Sequence, residues 1–270
     1  MAICRSKTRW LAVLAGLTLI MLTGCTPTPG ESARLSSNKA ELARLAKVKK
    51  IALVTFVGKS ETNPKATIHK PLIHAMYGAF QARAAANTHI VKFIPIKRVI
   101  NNEAYRHVAK IKMPEGTVSP VEGLTYIKIV GMFDSGPLTK ALGVDALMVV
   151  LARFGVAIRN FGSTPYLIAK VYPFLVVPPE EVVWGNMRRP MRFDELIPAA
   201  IFTHPKLMIS IGAKWVIFLR PSKSEYGELM KIAIDNKSKM ATEAGEAIID
   251  NLVTSIQKAR RIAASQAPSK

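Results

Sequence analysis

A chain of 270 residues with 49% apolar content is long enough for one large domain or two small ones, and too apolar to be disordered. Its two Cys, Cys4 and Cys25, both precede the folded body, which excludes Cys-based metal sites, thiol catalysis and redox chemistry there. The formal net charge of +20 points to a solvated basic surface or to an anionic partner such as lipid or nucleic acid.

The chain opens with Arg5, Lys7 and Arg9 and no acid. An apolar run from Trp10 to Met21 follows, and then Leu22-Thr23-Gly24-Cys25. Positive end, short apolar middle and small-residue cleavage site are the build of a secretory signal peptide. The apolar run is shorter than the roughly 20 residues a bilayer span needs. Leu22-Thr23-Gly24-Cys25 resembles the lipobox of bacterial lipoproteins. The resemblance implies cleavage between Gly24 and Cys25, lipid on the Cys25 thiol and acylation of its new amino end, three chains (palmitate among them) in all. The other reading is a plain secreted protein cut nearby. In lipoproteins of this type an Asp after the Cys resembles an inner-membrane retention signal. Thr26 stands there instead, which implies the outer membrane with the body facing the periplasm, the cell surface being left open. Export argues against nucleic acid. Loss of the first 24 residues leaves 246 and a net charge of +17.

Thr26 to Ser37 is rich in Pro, Gly and Ser and reads as a flexible tether, reaching at most about 40–43 Å when extended. Asn38 is placed to cap a short helix over Lys39 to Lys47, with Leu42 and Leu45 on one side. Lys49 to Val57 reads as a strand covered on both faces, because its apolar stretch is nearly continuous. Pro71 to Ala86 has helical spacing, His89 to Ile96 reads as a second strand, and Asn101 or Asn102 is placed to cap a helix running to about Lys110. Met113 to Gly123, with Pro114, Gly116, Pro120 and Gly123, reads as a loop or poorly ordered connection.

Leu138 to Leu142 reads as a helix ended by Gly143. Asp145 to Leu151 is the clearest buried strand. After a loop at Gly162-Ser163-Thr164, Tyr166 to Val177 reads as a strand in which Pro173 marks an edge or a bend. A turn at Pro178 to Glu181 returns Val182 to Trp184 as its hairpin partner. Met187 to Pro205, interrupted by Pro190 and Pro198, suggests short helices. Ile197 to Leu219 is apolar enough to raise a membrane segment, but Pro198, Pro205, Lys206 and Lys214 argue against one. Lys214 to Leu219 reads as a further strand, and Ser222 with Glu225 resembles a capping box. From Thr242, Ala244, Ile248, Leu252, Ile256 and Ala259 share one helical face, either against the core or against a partner. Lys258, Arg260 and Arg261 are read as cations in the last turns, where they suit the helix dipole.

The chemistry on offer is sparse. His69 and His74 are five apart, which separates them around a helix, and no acid lies beside them; no metal site is expected, and a surface or capping role is the default. Ser135 and Ser163 sit in Gly- and Pro-containing sequences that read as turns rather than nucleophile elbows. Glu180–Glu181 and Asp194–Glu195 are the close acid pairs of the central chain, but adjacent acids point apart on a strand or helix. They read as solvated turns or first-turn charges rather than a glycosidase pair. No cofactor-binding motif appears. Arg188, Arg189 and Arg192, interleaved with Met187, Met191 and Phe193, form a candidate basic contact patch, with plain surface charge as the other reading. Lys97-Arg98 and Arg106 to Lys112 are further basic segments.

Lys50-Ile51-Ala52-Leu53-Val54-Thr55-Phe56, then Leu142-Gly143-Val144-Asp145 leading into Ala146 to Val150, then a hairpin closing on Val183-Trp184 and a long C-terminal helix, resemble envelope lipoproteins of the CsgG type, the LpoB type and the amino-terminal domain of TolB. The resemblance spans roughly 49–261 and implies a non-enzymatic envelope role. Residues 187–220 have no counterpart in it, and the tether is too short for an LpoB-like reach. The expectation is an α/β fold, a three-layer or two-layer sandwich with a mixed central sheet, helices packed on it and a long C-terminal helix. Its divisions are a signal peptide (1–24), lipidated Cys25 with tether and short helix (25–47), one α/β domain (48–262) and a polar tail (263–270). The expected work is binding, as an accessory or assembly subunit of an envelope complex, with homo-oligomers allowed. An envelope hydrolase with an unrecognised site and a small-ligand-binding lipoprotein are the alternatives.

Overall fold

The computed structural model describes residues 38–61, 63, 65–108, 113–125, 135–158, 165–179, 181–185, 190–197, 223–235 and 238–266. Gly24, Cys25, the tether, Ser163, Glu180, Arg188, Arg189, the strand expected at 214–219 and Ser222 of the capping box lie outside them.

In chain order the elements are α1 (Lys39–Lys47), β1 (Lys50–Ser60), α2 (Lys70–Ala86), β2 (Lys92–Phe93), α3 (Ile96–Ile100), α4 (Glu103–Val108), α5 (Ser135–Leu142), β3 (Ala146–Ile158), β4 (Pro165–Val177), β5 (Glu181–Gly185), β6 (Met191–Leu196), α6 (Lys223–Asp235) and α7 (Met240–Ser265). The six strands form one mixed sheet in the order β2-β1-β3-β4-β5, and β6 also pairs with β4. β1 is parallel to β2 and β3; β4 is antiparallel to β3, β5 and β6.

β1 is buried without a break from Ile51 to Gly58, so it is covered on both faces. Phe56 meets Tyr77 and Phe80 of α2 edge to face at 5.2 and 5.4 Å. Thr55, pointing the other way, donates its hydroxyl to the Thr125 carbonyl at 3.1 Å. The β1–β3 register slips between Leu53 and Thr55, leaving Val54 bulged. The buried Tyr105 hydroxyl of α4 donates to the Val54 carbonyl at 3.0 Å and accepts the Thr125 amide at 3.1 Å. Burial pushes that phenol up to about 12, partly offset by the Thr125 bond. A two-way bond between Gly58 and Val118 completes the attachment of segment 113–125, where the sequence predicts a loop or poorly ordered connection over 113–123.

Helix α7 lies along α2. Gly245 is required there, because a Cβ at that position would sit 2.2 Å from the Met76 carbonyl oxygen. Ala244, Ile248, Leu252, Ile256 and Ala259 are all buried, as their spacing predicts, so this face belongs to the core. Trp184 of β5 points into the same layer and donates its indole N–H to Ser255 at 3.1 Å. Asn38 caps α1 through the Ala40 amide at 3.0 Å, and Leu45 of that helix is fully buried, so α1 is packed into the body.

Several expectations change. The second strand shrinks from 89–96 to Lys92–Phe93: the Ile90 and Val91 amides bond back to the Asn87 carbonyl, and Pro95 leads straight into α3. The short helices expected after Met187 give way to strand β6 over Met191–Leu196, whose alternate residues Met191 and Phe193 are buried. Lys258, Arg260 and Arg261 fall short of the last turn, since α7 runs on to Ser265. Arg260 instead reaches the Ala46, Val48 and Ile90 carbonyls at 3.2, 2.9 and 3.1 Å, tying α7 to the end of α1. Pro173 is inside β4, at the break where pairing with β6 (166–171) ends and pairing with β5 (174–177) begins. Its missing N–H therefore has no ladder to interrupt on that side.

Tyr105→Phe leaves the Val54 carbonyl and the Thr125 amide without their buried partner. The variant is expected to lose about 1–3 kcal/mol of stability, measured by urea denaturation, with its secondary structure unchanged by circular dichroism.

Candidate functional site

Adjacent strands set residues opposite one another, and directly opposed residues share a face. In the observed register Lys59 of β1 is opposite Arg153 of β3, Arg153 is opposite Lys170 of β4, and Lys170 is opposite Arg192 of β6. Four cations thus cross the sheet in a single row. At the usual strand spacing it is about 14 Å long. The row lies on the face away from α2: a Cβ at Gly58 would meet Ile73 of α2 and the Phe154 ring, and Phe154 stacks on His69 just before α2, so Gly58 and Phe154, next to Lys59 and Arg153 in sequence, face α2.

The compensation is partial. Glu61 takes the Lys170 ammonium on both carboxylate oxygens at 3.0 Å, and Asp194 takes the Arg192 guanidinium at 3.1 Å. Arg153 lies 5.6 Å from the centroid of the Tyr172 ring, a cation–π contact rather than an ion pair. Lys59 has no acidic partner among the described residues. Arg153 and Arg192 are exposed, while Lys59 and Lys170 are half-buried. Tyr166 and Tyr172 share the face of Lys170 by the two-residue alternation of β4, and both are half-buried.

Of the expected basic patch, Arg192 is the member that the structure describes, and it forms the end of this row. Lys59, Arg153 and Lys170 escaped the sequence reading because 133 residues separate Lys59 from Arg192. Lys97 and Arg98 are exposed on α3. Arg106 turns back onto the Ile100 carbonyl at 3.2 Å and the Asn101 side chain at 3.1 Å.

The candidates for chemistry have structural work. Ser135 is buried and donates its hydroxyl and its amide to the Pro179 carbonyl at 2.6 and 2.9 Å. Asp194 and Glu195 point to opposite faces of β6, not out of a turn or first helical turn. Asp194 joins the cationic row, whereas Glu195 accepts the Ser238 hydroxyl at 2.5 Å and the Met240 amide at 2.9 Å at the start of α7. Glu181 pairs with Arg44 of α1. No three His, Cys, Asp or Glu side chains are grouped to hold a metal among the described residues, and no described helix is long and apolar enough to cross a membrane.

His69 is neither a surface nor a side-chain-capping residue. It occupies the position before α2, yet its side chain makes no cap bond. It is fully buried and stacks on Phe154 at 5.8 Å. Neither ring nitrogen reaches hydrogen-bond geometry among the described residues. Desolvation lowers its pKa below 6.5, and the nearby Gly58 carbonyl offsets part of that shift. His74 is exposed.

No family model and no curated protein matches the chain. Among solved structures it is similar to the crystal structure of lipoprotein GNA1162 from Neisseria meningitidis, at 10% identity and a TM-score of 0.33, over 55% of this chain and 83% of that one.

Lys59→Gln removes a like charge opposite Arg153 without opening the core. It is expected to raise stability by about 0.2–1 kcal/mol at low ionic strength, a gain that shrinks as salt is added to the denaturant titration. His69→Phe keeps the stack on Phe154 and removes a titrating base. Above pH 6.5 both folded and unfolded His69 are neutral; below it the unfolded chain takes up a proton that the folded one resists, so acid lowers stability. The variant should therefore show a flatter fall in melting temperature than the parent as the pH drops from about 7 to about 5, just below the ordinary histidine range.

Proposed function

We propose that the protein is a lipid-anchored lipoprotein of the cell envelope, held at the periplasmic face of the outer membrane, that works by binding as an accessory or assembly subunit. The observation that carries this reading is Leu22-Thr23-Gly24-Cys25, placed behind a basic start and a short apolar run. Three acyl chains exceed the two signals that stable anchoring takes. Residues 26–37 reach at most about 40–43 Å, so the body works close to the bilayer.

A binding role is supported by how the polar side chains are used. Ser135, Asp194 and Glu195 are engaged with Pro179, Arg192 and the start of α7. What the body offers outward is charge, arranged in a row. The partner is another envelope protein or a second copy of this chain.

Mass spectrometry of the protein recovered from its native membrane is expected to find the amino terminus at Cys25 with lipid on its thiol and amine. A free Cys25 thiol would refute the anchor. Crosslinking in cells followed by pull-down is expected to return a stable partner or a homo-oligomer. Recovery of the monomer alone sinks the accessory reading.

A further inference from the structure

We propose that the face carrying Lys59, Arg153, Lys170 and Arg192 docks on the phosphate layer of an anionic lipid bilayer. The inference rests on the reading of Cys25 as an anchor for where the contact occurs, and on the sheet alone for its chemistry.

The first argument is charge. Like charges directly opposite on neighbouring strands destabilise a sheet. Here three such contacts run in succession, Lys59–Arg153, Arg153–Lys170 and Lys170–Arg192. Glu61 and Asp194 neutralise Lys170 and Arg192. Among the described residues no acid pairs with Lys59 or Arg153, and an external anion can offset their charges.

The second argument is shape. The four cations lie along about 14 Å of sheet surface rather than converging on one point. A planar array of that kind matches a layer of phosphates better than a single small anion. Arg153 presents a guanidinium fork suited to phosphate oxygens, and Lys59 a compact ammonium.

The third argument is the company the cations keep. Tyr166 and Tyr172 lie on the same face of β4, either side of Lys170, and Leu151 precedes Arg153 by two on β3. All three are half-buried. Tyr is enriched at membrane–water interfaces, where its ring meets the apolar boundary and its hydroxyl stays wet. Tyr172 is already stacked against Arg153, which holds the guanidinium in place at the sheet surface.

The mature chain from residue 25, carrying Cys25→Ala, contains every described residue and has no acyl chain. It is mixed with vesicles of phosphatidylcholine and with vesicles of phosphatidylcholine and phosphatidylglycerol. Sedimentation with the anionic vesicles, weakened by salt, is expected, and none with the neutral ones. Lys59→Gln/Arg153→Gln should lower the partition about thirtyfold, the equivalent of about 1 kcal/mol per charge. Its circular dichroism and denaturation midpoint should report a folded protein. The charge-keeping pair Lys59→Arg/Arg153→Lys should bind as the parent does. Equal uptake by neutral vesicles, or a Gln pair that binds anionic vesicles undiminished, overturns the proposal. Release by inorganic phosphate, but not by chloride at the same ionic strength, would assign the row to free phosphate and overturn it too. The anchor is judged separately: lipid on Cys25 without vesicle binding removes the docking surface alone, and vesicle binding with an unmodified Cys25 removes the anchor alone.

Discussion

The backbone of β1 is the constraint on which the body depends. From Ile51 to Gly58 it is buried, so its N–H and C=O groups must be partnered from within the protein. Parallel pairing with β2 on one side and β3 on the other meets most of that need. Parallel neighbours require crossovers, and right-handed crossovers to opposite sides of β1 place α2 on one face and α3 to α5 on the other. The bulge at Val54 breaks the β3 ladder once, and Tyr105 repairs it from the face opposite α2. That single phenol also takes the Thr125 amide, so segment 113–125 is fixed by the same requirement.

The acids are scarce, 18 against 38 Lys and Arg, and several are committed to holding the elements together. Asp145 accepts the Lys49 and Lys50 amides at 2.8 Å, fixing the start of β1 beside the start of β3. Glu195 receives the first amides of α7, where a negative group suits the helix N-terminus. Asp250 holds Arg83 of α2 against α7, and Glu181 holds Arg44 of α1. Arg260 does the converse, giving its donors to carbonyls at the end of α1. With the carboxylates so disposed, the excess of cations has to lie on the surface. The row across β1, β3, β4 and β6 is one place where that excess is ordered by the fold.

How much of this is legible in the sequence depends on the range of the interaction. Asn38 before α1, the spacing along α2 and α7, and Gly143 after α5 are local signals, and each predicted its element. Gly143 has a φ of +65° and ends the helix as read. β2 is shorter than its pattern predicts and β6 stands where the pattern suggests short helices, because a short strand takes its identity from its neighbour: Lys92–Phe93 and Met191–Leu196 are strands through their pairing with β1 and β4. The Leu142-Gly143-Val144-Asp145 stretch is a local pattern, but its purpose, a carboxylate for the β1 amides, lies 95 residues away. The cationic row was hidden for the same reason. One part of it was accessible: Arg153 and Lys170 are equidistant from the midpoint between residues 161 and 162, so a hairpin folded there sets them opposite. Lys59 and Arg192 needed the register of β1 and β6, which no local pattern specifies.

The row also separates what the fold needs from what it tolerates. Lys59, Arg153 and Lys170 interrupt strands that are otherwise apolar or β-branched, and Val or Thr at these positions would suit a half-buried sheet better. The like-charge contacts cost tenths of a kcal/mol to about 1 kcal/mol each, and no backbone group depends on them. A local conflict of that kind, in a body whose buried amides and carbonyls are otherwise met with care, is expected where the surface serves something outside the fold. A membrane-held chain makes such a contact effective at low intrinsic affinity. Under the proposed anchor, with 12 residues between Cys25 and Asn38, meeting the bilayer is an intramolecular event, and about 1 kcal/mol from each of Lys59 and Arg153, which have no acidic partner among the described residues, would suffice to bias which face the body turns to it.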